Sequence, residues 1–251
     1  MPRSLLLYFL LFSLALQVGA PLLLAEGELR QTPEKAISQA QSALQSAGSP
    51  RDSAQALHLE GIARLYLGEN EAAMLRQRQA LLLFQQQEVL TGQRDAYNQI
   101  GFLQYKWGEL DSALHFFHLA DSLARLSGYA RGQAEAQKNL AKYHHTLGNF
   151  SESIRLNQQA LEWATQAADT ALMLTIEKNL GDDYESRGDY VRALVIYLEA
   201  LELAQQSQDL LATSALYSHL GNLYALTGHR GQALSAHTRA LELRRQINYR
   251  E

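Results

Sequence analysis

Apolar residues recur at helical spacing on both sides of a series of regularly spaced glycines. In one example, an amphipathic run that includes residues 179–187 ends at Gly188, and a second run follows over residues 190–201. Glycine ends a helix readily because it adopts the left-handed conformation without a steric penalty from a Cβ. The pattern therefore predicts a hairpin of two helices, which we name helix A and helix B.

The hairpin pattern repeats along the chain with a step of 40 residues. Self-similarity at a fixed period of about 20 to 50 residues is typical of solenoids. The sequence therefore predicts function on a repeated surface rather than in one pocket. The glycines that stand in register, 40 residues apart, are Gly68, Gly108, Gly148, Gly188 and Gly228, and the alanines in register are Ala80, Ala120, Ala160, Ala200 and Ala240.

A small residue also stands inside helix A, seven positions before each of these glycines. Glycine inside a helix costs about 1 kcal/mol relative to alanine, so we expect close contact with another helix to compensate. The alanines on helix B are expected to let helix A of the following repeat pack against them. The small residues on helix A are Gly61, Gly101, Ala141, Gly181 and Gly221.

These positions resemble the tetratricopeptide repeat. Residues 180–200 carry its pattern as Leu180-Gly181, Tyr184, Ala193, Tyr197 and Ala200, and residues 220–240 nearly do, whereas the first repeat has Glu60 where leucine is expected. The resemblance covers residues 33–247 and implies an all-α fold, a right-handed superhelical solenoid of antiparallel helix hairpins. The period exceeds the family's usual length of about 34 residues. Long-period arrays of this kind resemble those of kinesin light chains and bacterial signalling proteins.

The chain is predicted to consist of residues 1–25 and a repeat domain over residues 26–251. In the repeat domain, Thr32 is expected to cap a half repeat over residues 32–47, with Pro33 in the first helical position. Five hairpins are expected to follow over residues 51–247.

Residues 1–25 have the layout of a secretory signal peptide: Arg3 near the start, an almost unbroken apolar run over residues 5–18, and small residues up to Ala25. Cleavage after Ala25 predicts an exported protein, periplasmic or secreted. The alternative is an uncleaved anchor over residues 4–25, a segment long enough to cross a bilayer.

Composition argues against several classes of function. A formal net charge of −4 at pH 7 provides no basic face of the kind that nucleic-acid binding requires, so no nucleic-acid partner is expected. The chain has no cysteine for disulfides or a lipid anchor, and membrane contact is expected only through the N-terminal segment. The sequence has no glycine-rich phosphate loop, serine elbow or nucleophilic cysteine, so we expect neither an enzyme nor a cofactor.

Histidines and adjacent acidic residues do not predict a chemical site either. The histidine pairs at positions 115 and 118 and at positions 144 and 145 lack a suitable third ligand within a turn. Packing or surface roles are expected for them, with His118 close to the helix B core, and no metal is expected. Asp182 and Asp183 are adjacent, and adjacent side chains on a helix diverge by about 100°. We therefore expect them to form a solvated face rather than an acid pair.

Lysines and asparagines lie on the face of helix A that lines the concave groove in this family. Asn139 and Asn179 occupy the same repeat position, although asparagine is a poor helix former. The resemblance to kinesin light chains implies that such an asparagine ladder holds a bound peptide by its backbone amides. A side-chain amide suits this task because it carries both a donor and an acceptor.

The implied partner is a protein or peptide segment, either acidic or ending in a C-terminal carboxylate that the lysines attract. The alternative is that these polar side chains only keep an exposed face of the helices in contact with solvent and bind no ligand. The predicted peptide-binding residues are Asn139, Asn179, Lys138, Lys142, Lys178, Gln99, His219 and Lys106.

Two functions of different kinds remain open. The first is an exported, non-catalytic scaffold that binds an extended segment in its groove. The second is the extracytoplasmic sensory domain of a longer signalling protein, such as a sensor kinase. Residues 248–251 align with residues 128–131, where another helix A would begin, and no polar capping helix follows, although solenoids generally need one. This alignment favours the second function, and it also leaves the C-terminal end open to self-association.

Overall fold

A computed structural model describes residues 32–247 of the chain. The predicted signal peptide lies outside these residues. Within them the chain folds into eleven α-helices joined by short turns, as the all-α prediction required. No helix in this range is both long and apolar enough to cross a lipid bilayer. The helices form two compact units that divide after Ser127.

Unit 1, described over residues 32–127, contains one unpaired helix B followed by two hairpins. The unpaired helix is α1, and the hairpins are α2–α3 and α4–α5. The bounds are α1 Pro33–Gln45, α2 Pro50–Tyr66, α3 Asn70–Gln86, α4 Leu90–Lys106 and α5 Leu110–Ser127.

Unit 2, described over residues 128–247, contains three hairpins. They are α6–α7, α8–α9 and α10–α11, with helix A first in each. The bounds are α6 Ala130–Thr146, α7 Phe150–Gln166, α8 Thr170–Ser186, α9 Tyr190–Gln206, α10 Leu210–Leu226 and α11 Arg230–Gln246.

Within each unit, every helix packs against its neighbours in sequence. Helices A also contact the helix A of the next repeat: α2 contacts α4 in unit 1, while α8 contacts both α6 and α10 in unit 2. Among the described residues, no such contact joins one helix B to another. The helices A therefore lie on the inner side of each stack.

The turns from helix A to helix B confirm the prediction from the glycines in register. All five glycines have a positive φ, between 74° and 82°. After Gly188, for example, the Asp189 N–H donates to the Tyr184 carbonyl at 2.9 Å, which closes the end of the helix. Only the left-handed φ requires glycine here, because a Cβ added at Gly188 would meet no atom within 4 Å.

Four of the five turns from helix B to helix A use the same left-handed conformation, which sequence analysis missed; the turn between α1 and α2 does not. Gly128 has φ 62°, and the residues in register with it, Glu88, Ala168 and Gln208, have φ 52°, 52° and 56°. A residue with a Cβ pays about 1–2 kcal/mol in this region. Three of these turns therefore carry a backbone cost that glycine would avoid.

The small residues on helix A bring it close to helix B of the same hairpin. A Cβ at Gly101 would lie 2.7 Å from the ring of Phe117, and one at Gly181 would collide with the ring of Tyr197. Both rings are buried, so close contact compensates for glycine inside the helix, as predicted. Burial of the alanines in register is also confirmed: Ala80, Ala120, Ala160 and Ala200 have no exposed surface, and Ala240 is 2% exposed.

Glu60, which departs from the repeat pattern, is buried with its charge compensated. Its carboxylate lies 2.7 Å from Arg64 and 3.0 Å from Arg76. Burial opposes ionisation, but hydrogen bonds from Arg64 and Gln41 outweigh it and lower the pKa of Glu60. At the position where the repeat pattern has leucine, Glu60 therefore forms ion pairs with Arg64 on α2 and Arg76 on α3.

Candidate functional site

The residues predicted to bind a peptide divide between the two units. Gln99 and Lys106 lie on α4 of unit 1, and Lys106 Nζ donates to Asn70 Oδ1 at 3.2 Å. The other six lie on the three helices A of unit 2, which contact one another in sequence. The candidate site is therefore the surface of unit 2 that we call the A face. It is defined by Lys138, Asn139 and Lys142 on α6, Lys178, Asn179 and Asp182 on α8, and His219 on α10.

The two asparagines occupy equivalent positions on contacting helices but differ in exposure. Asn139 on α6 is only 8% exposed, whereas Asn179 on α8 is half-buried. Residues three or four apart share a helix face, so Asn179 lies on the same side of α8 as Asp182. Asn139 is therefore not a solvated surface residue, and Asn179 is the more accessible amide.

Asp182 is the centre of the polar contacts on the A face. Its carboxylate lies 2.7 Å from Lys178 Nζ and 3.2 Å from His219 Nδ1, and it accepts a hydrogen bond of 2.6 Å from the Tyr197 hydroxyl. Glu185 also lies 3.2 Å from that hydroxyl. Two residues predicted to meet a ligand, Lys178 and His219, thus already bind a carboxylate of the protein.

This environment keeps Asp182 ionised. Burial opposes the charged form, but the hydrogen bond from His219 and the charge of Lys178 outweigh it and hold the pKa of Asp182 below its usual range. The Tyr197 hydroxyl beside it stays protonated because burial and the Asp182 charge raise its pKa strongly. The tyrosine is therefore a donor to the carboxylate.

Asp183 lies on the other side of α8 and is buried. It is 1% exposed and accepts hydrogen bonds from His145 Nδ1 at 2.7 Å, Ser153 Oγ at 2.7 Å and Asn157 Nδ2 at 2.9 Å. The expectation that Asp182 and Asp183 form a solvated face is therefore wrong. Adjacent side chains diverge, as expected, but here they diverge toward α10 and α6 rather than into solvent.

The buried polar contacts of Asp183 are indicated in the sequence by a comparison of the repeats with one another, which sequence analysis did not make. Ser153 stands where the four other hairpins have alanine, and Asp183 stands where the hairpins before and after it have Tyr143 and Leu223. Polar residues that replace apolar ones at several positions of one junction indicate that they bond to one another. Spacing within a single repeat gives no such indication.

The histidines of the two pairs lie in different surroundings. No group of three histidine or carboxylate side chains within residues 32–247 is arranged to hold a metal ion. His145 binds Asp183, and His144 packs edge-on against Tyr143 with ring centroids 5.4 Å apart. His118 is exposed on α5, so its expected place near the helix B core is wrong.

Comparison with known proteins identifies the repeat in one part of the chain. Residues 169–246, which include α8 to α11, match the family model of the tetratricopeptide repeat. No curated protein matches the sequence.

Solved structures resemble the fold over most of the chain. BtubC (BKLC) from P. vanneervenii is 24% identical with a TM-score of 0.67, and the alignment covers 88% of this chain and 94% of that one. NprR, solved in complex with its cognate peptide NprX, is 16% identical with a TM-score of 0.68 and coverages of 92% and 68%.

The third similar structure contains nearly identical repeats. It is a kinesin light chain from Podospora anserina with tetratricopeptide-like repeats, which is 12% identical with a TM-score of 0.61 and coverages of 80% and 98%. At these identities the likeness concerns the fold alone. The resemblance noted in the sequence is confirmed: the chain has the helical-hairpin fold of tetratricopeptide-like proteins, and residues 169–246 match that repeat family directly.

Proposed function

We propose that this chain is an exported, non-catalytic scaffold that binds an extended protein segment along the A face of unit 2. The observation that carries the proposal is the placement of Asn139 and Asn179 at equivalent positions on α6 and α8, two helices in contact. A side-chain amide carries a donor and an acceptor, which match the backbone of an extended segment, and Asn179 is the more accessible of the two. NprR, which has a similar fold, was solved with a bound peptide, and this supports the choice of ligand.

The charges of the A face suggest how the segment is oriented. Lys178 is compensated by Asp182 at 2.7 Å, so it adds little attraction for a second carboxylate. Lys142 is exposed on α6 and Lys138 is half-buried one turn before it. We place an acidic or C-terminal carboxylate of the segment over α6, where two lysines lie one turn apart, with the rest of its backbone crossing toward α8.

Truncation of the amides tests the proposed contact. Asn139→Ala and Asn179→Ala are each expected to weaken binding by about 1–2 kcal/mol, roughly 5- to 30-fold in Kd, because the backbone of the segment loses its partners. The measurement is isothermal titration calorimetry with a peptide selected from a random library on the wild-type protein. Gln158→Ala, which removes an exposed amide from helix B α7, is the matched control and should leave Kd unchanged.

One result would contradict the proposed contact. If the selected peptides bind the Asn139→Ala/Asn179→Ala double variant as tightly as the wild type, the segment does not lie on the A face. The fold would then offer its edges or its helices B to a partner.

The proposed location depends on residues 1–25, whose order of charge, apolar run and small residues is that of a signal peptide. When the full sequence is expressed in a bacterium, protein recovered from the periplasmic or secreted fraction is expected to begin at Glu26. N-terminal sequencing measures this directly. A chain found only in the cytosol with Met1 intact would remove export from the proposal, and an intact Met1 in the membrane fraction would favour the uncleaved anchor.

A further inference from the structure

Two histidines on neighbouring helices A each bind one of two adjacent aspartates on the helix between them. His145 on α6 donates from Nδ1 to Asp183 at 2.7 Å, and His219 on α10 lies 3.2 Å from Asp182 through its own Nδ1. Because adjacent side chains diverge on a helix, α8 reaches the helix A on each side. One helix thus joins all three helices A of unit 2 through histidine–aspartate pairs.

The pairing is specific to this part of the chain. The residues in register with His145 are Leu65, Tyr105, Glu185 and Ala225, and those in register with His219 are Leu59, Gln99, Asn139 and Asn179. Each histidine is therefore the only one at its repeat position across the five hairpins.

The first pair is set in a charged environment that favours protonation. From α8, His145 faces Asp183 directly. The negative charge of Asp182 also favours the protonated imidazole, whereas the positive charge of Lys178 opposes it. From α7, its ring meets the uncharged ring of Phe150 at 5.4 Å. On α6 itself, the neighbouring His144 interacts with Glu152 of α7.

The second pair shares its aspartate with other groups. From α8, His219 faces Asp182, which also binds Lys178. From α9, it meets the ring of Tyr197 at 5.4 Å, and the hydroxyl of that tyrosine also lies near Glu185. From α11, Arg244 donates to Ser218, the residue before His219, at 3.1 Å.

Protonation of the first pair follows from its geometry. The hydrogen bond to Asp183 raises the pKa of His145 above its ordinary value, although partial burial acts against this. A group whose pKa is raised on folding makes its full contribution to stability at pH values below its pKa in the unfolded chain, which is about 6.5 for histidine. That contribution is lost as the pH rises through the folded pKa. Above it the imidazole still donates to Asp183, but the charge is gone.

We propose that the His145–Asp183 and His219–Asp182 pairs couple the three helices A of unit 2, and that protonation of His145 strengthens the first coupling and tightens the A face in mild acid. Binding of a segment to the A face is then stronger near pH 6 than near pH 8, because a surface held in its bound arrangement loses less entropy on binding. This consequence rests on the proposed function, whereas the couplings themselves are measured without a ligand.

The ligand-free test is hydrogen exchange of the full-length protein, followed by mass spectrometry of peptides from α8. Between pH 6 and pH 8 the protection factors of α8 in the wild type should fall about threefold more than in His145→Gln, the scale of partly exposed ion pairs. Glutamine keeps a donor but no titratable charge. His115→Gln/His118→Gln, which changes exposed histidines of α5, should behave as the wild type. An identical pH dependence in the wild type and His145→Gln overturns the proton-operated coupling.

A titration of the wild-type protein tests the first pair without requiring that any variant folds. Nuclear magnetic resonance of the histidine ring protons should give His145 a pKa above the ordinary value of histidine, about 6.5. A pKa at or below that value overturns the proposal.

The binding test uses a peptide selected on the wild type at pH 6. Its Kd should be about threefold weaker at pH 8 for the wild type and independent of pH for His145→Gln. An unchanged wild-type Kd overturns the regulation but leaves the A face as a binding site. If no peptide binds the A face at either pH, the proposed function fails, and the exchange result still reports separately on the couplings.

Discussion

Replacement of Gly181 by valine is expected to lower the free energy of unfolding by about 3 kcal/mol, the upper end for overpacking a core. Even the first carbon of a new side chain would collide with the ring of Tyr197. That ring has no exposed surface, and its hydroxyl is held by Asp182 at 2.6 Å. The ring therefore cannot move aside without breaking a buried contact, so α8 and α9 must separate.

Chemical denaturation of the wild type and the variant measures the loss. Gly231→Val is the matched control, because Gly231 also lies inside a helix, α11, yet a Cβ there would meet no atom within 4 Å. The control should unfold at nearly the wild-type denaturant concentration. Equal losses from both changes would mean that the side chain, and not the contact with Tyr197, causes the effect.

Replacement of Asp183 by alanine is also expected to cost about 3 kcal/mol, because it leaves buried donors without an acceptor. Asn157 is 1% exposed and its Nδ2 would lose its hydrogen bond to the carboxylate. Ser153 has no exposed surface and would keep only its contact with the Ala141 carbonyl at 2.9 Å. His145 is partly exposed and can turn to water, so it should contribute less.

A variant that removes the donors together with the acceptor separates this cause from loss of packing. Asp183→Leu/Ser153→Ala/Asn157→Leu replaces the polar group by apolar residues, as Leu223 and Ala193 already do at two of these positions in neighbouring repeats. Such joint replacement can be nearly neutral, so most of the loss should be recovered in urea unfolding. A triple variant as unstable as Asp183→Ala would show that the unpaired donors are not the cause.

The fold was predictable because each recurring small residue is required either by the backbone conformation at its position or by close contact between two helices. Gly188 must take a left-handed φ, and it does, at 82°. Gly181 must admit a ring from the facing helix, and Tyr197 fills that space. The turn at Ala168 was missed because glycine stands at this repeat position only at Gly48 and Gly128, and of these two only Gly128 has a positive φ.

The site was predictable only in part. Periodicity assigned Lys178, Asn179 and His219 to helices A, since position in a repeat fixes the helix and its face. It could not show that Lys178 and His219 both reach Asp182, because that depends on which side chains approach each other from neighbouring repeats. Asp183 was assigned to solvent for the same reason, since its partners lie 26 to 38 residues away along the chain.

The pattern of helix contacts has a consequence for the order in which the chain folds. Within each unit, each helix touches the helices next to it in sequence, and a helix A also touches the following helix A. Contacts between segments close in sequence require little loop closure and form quickly. An early hairpin can therefore complete most of its packing before the later hairpins have formed.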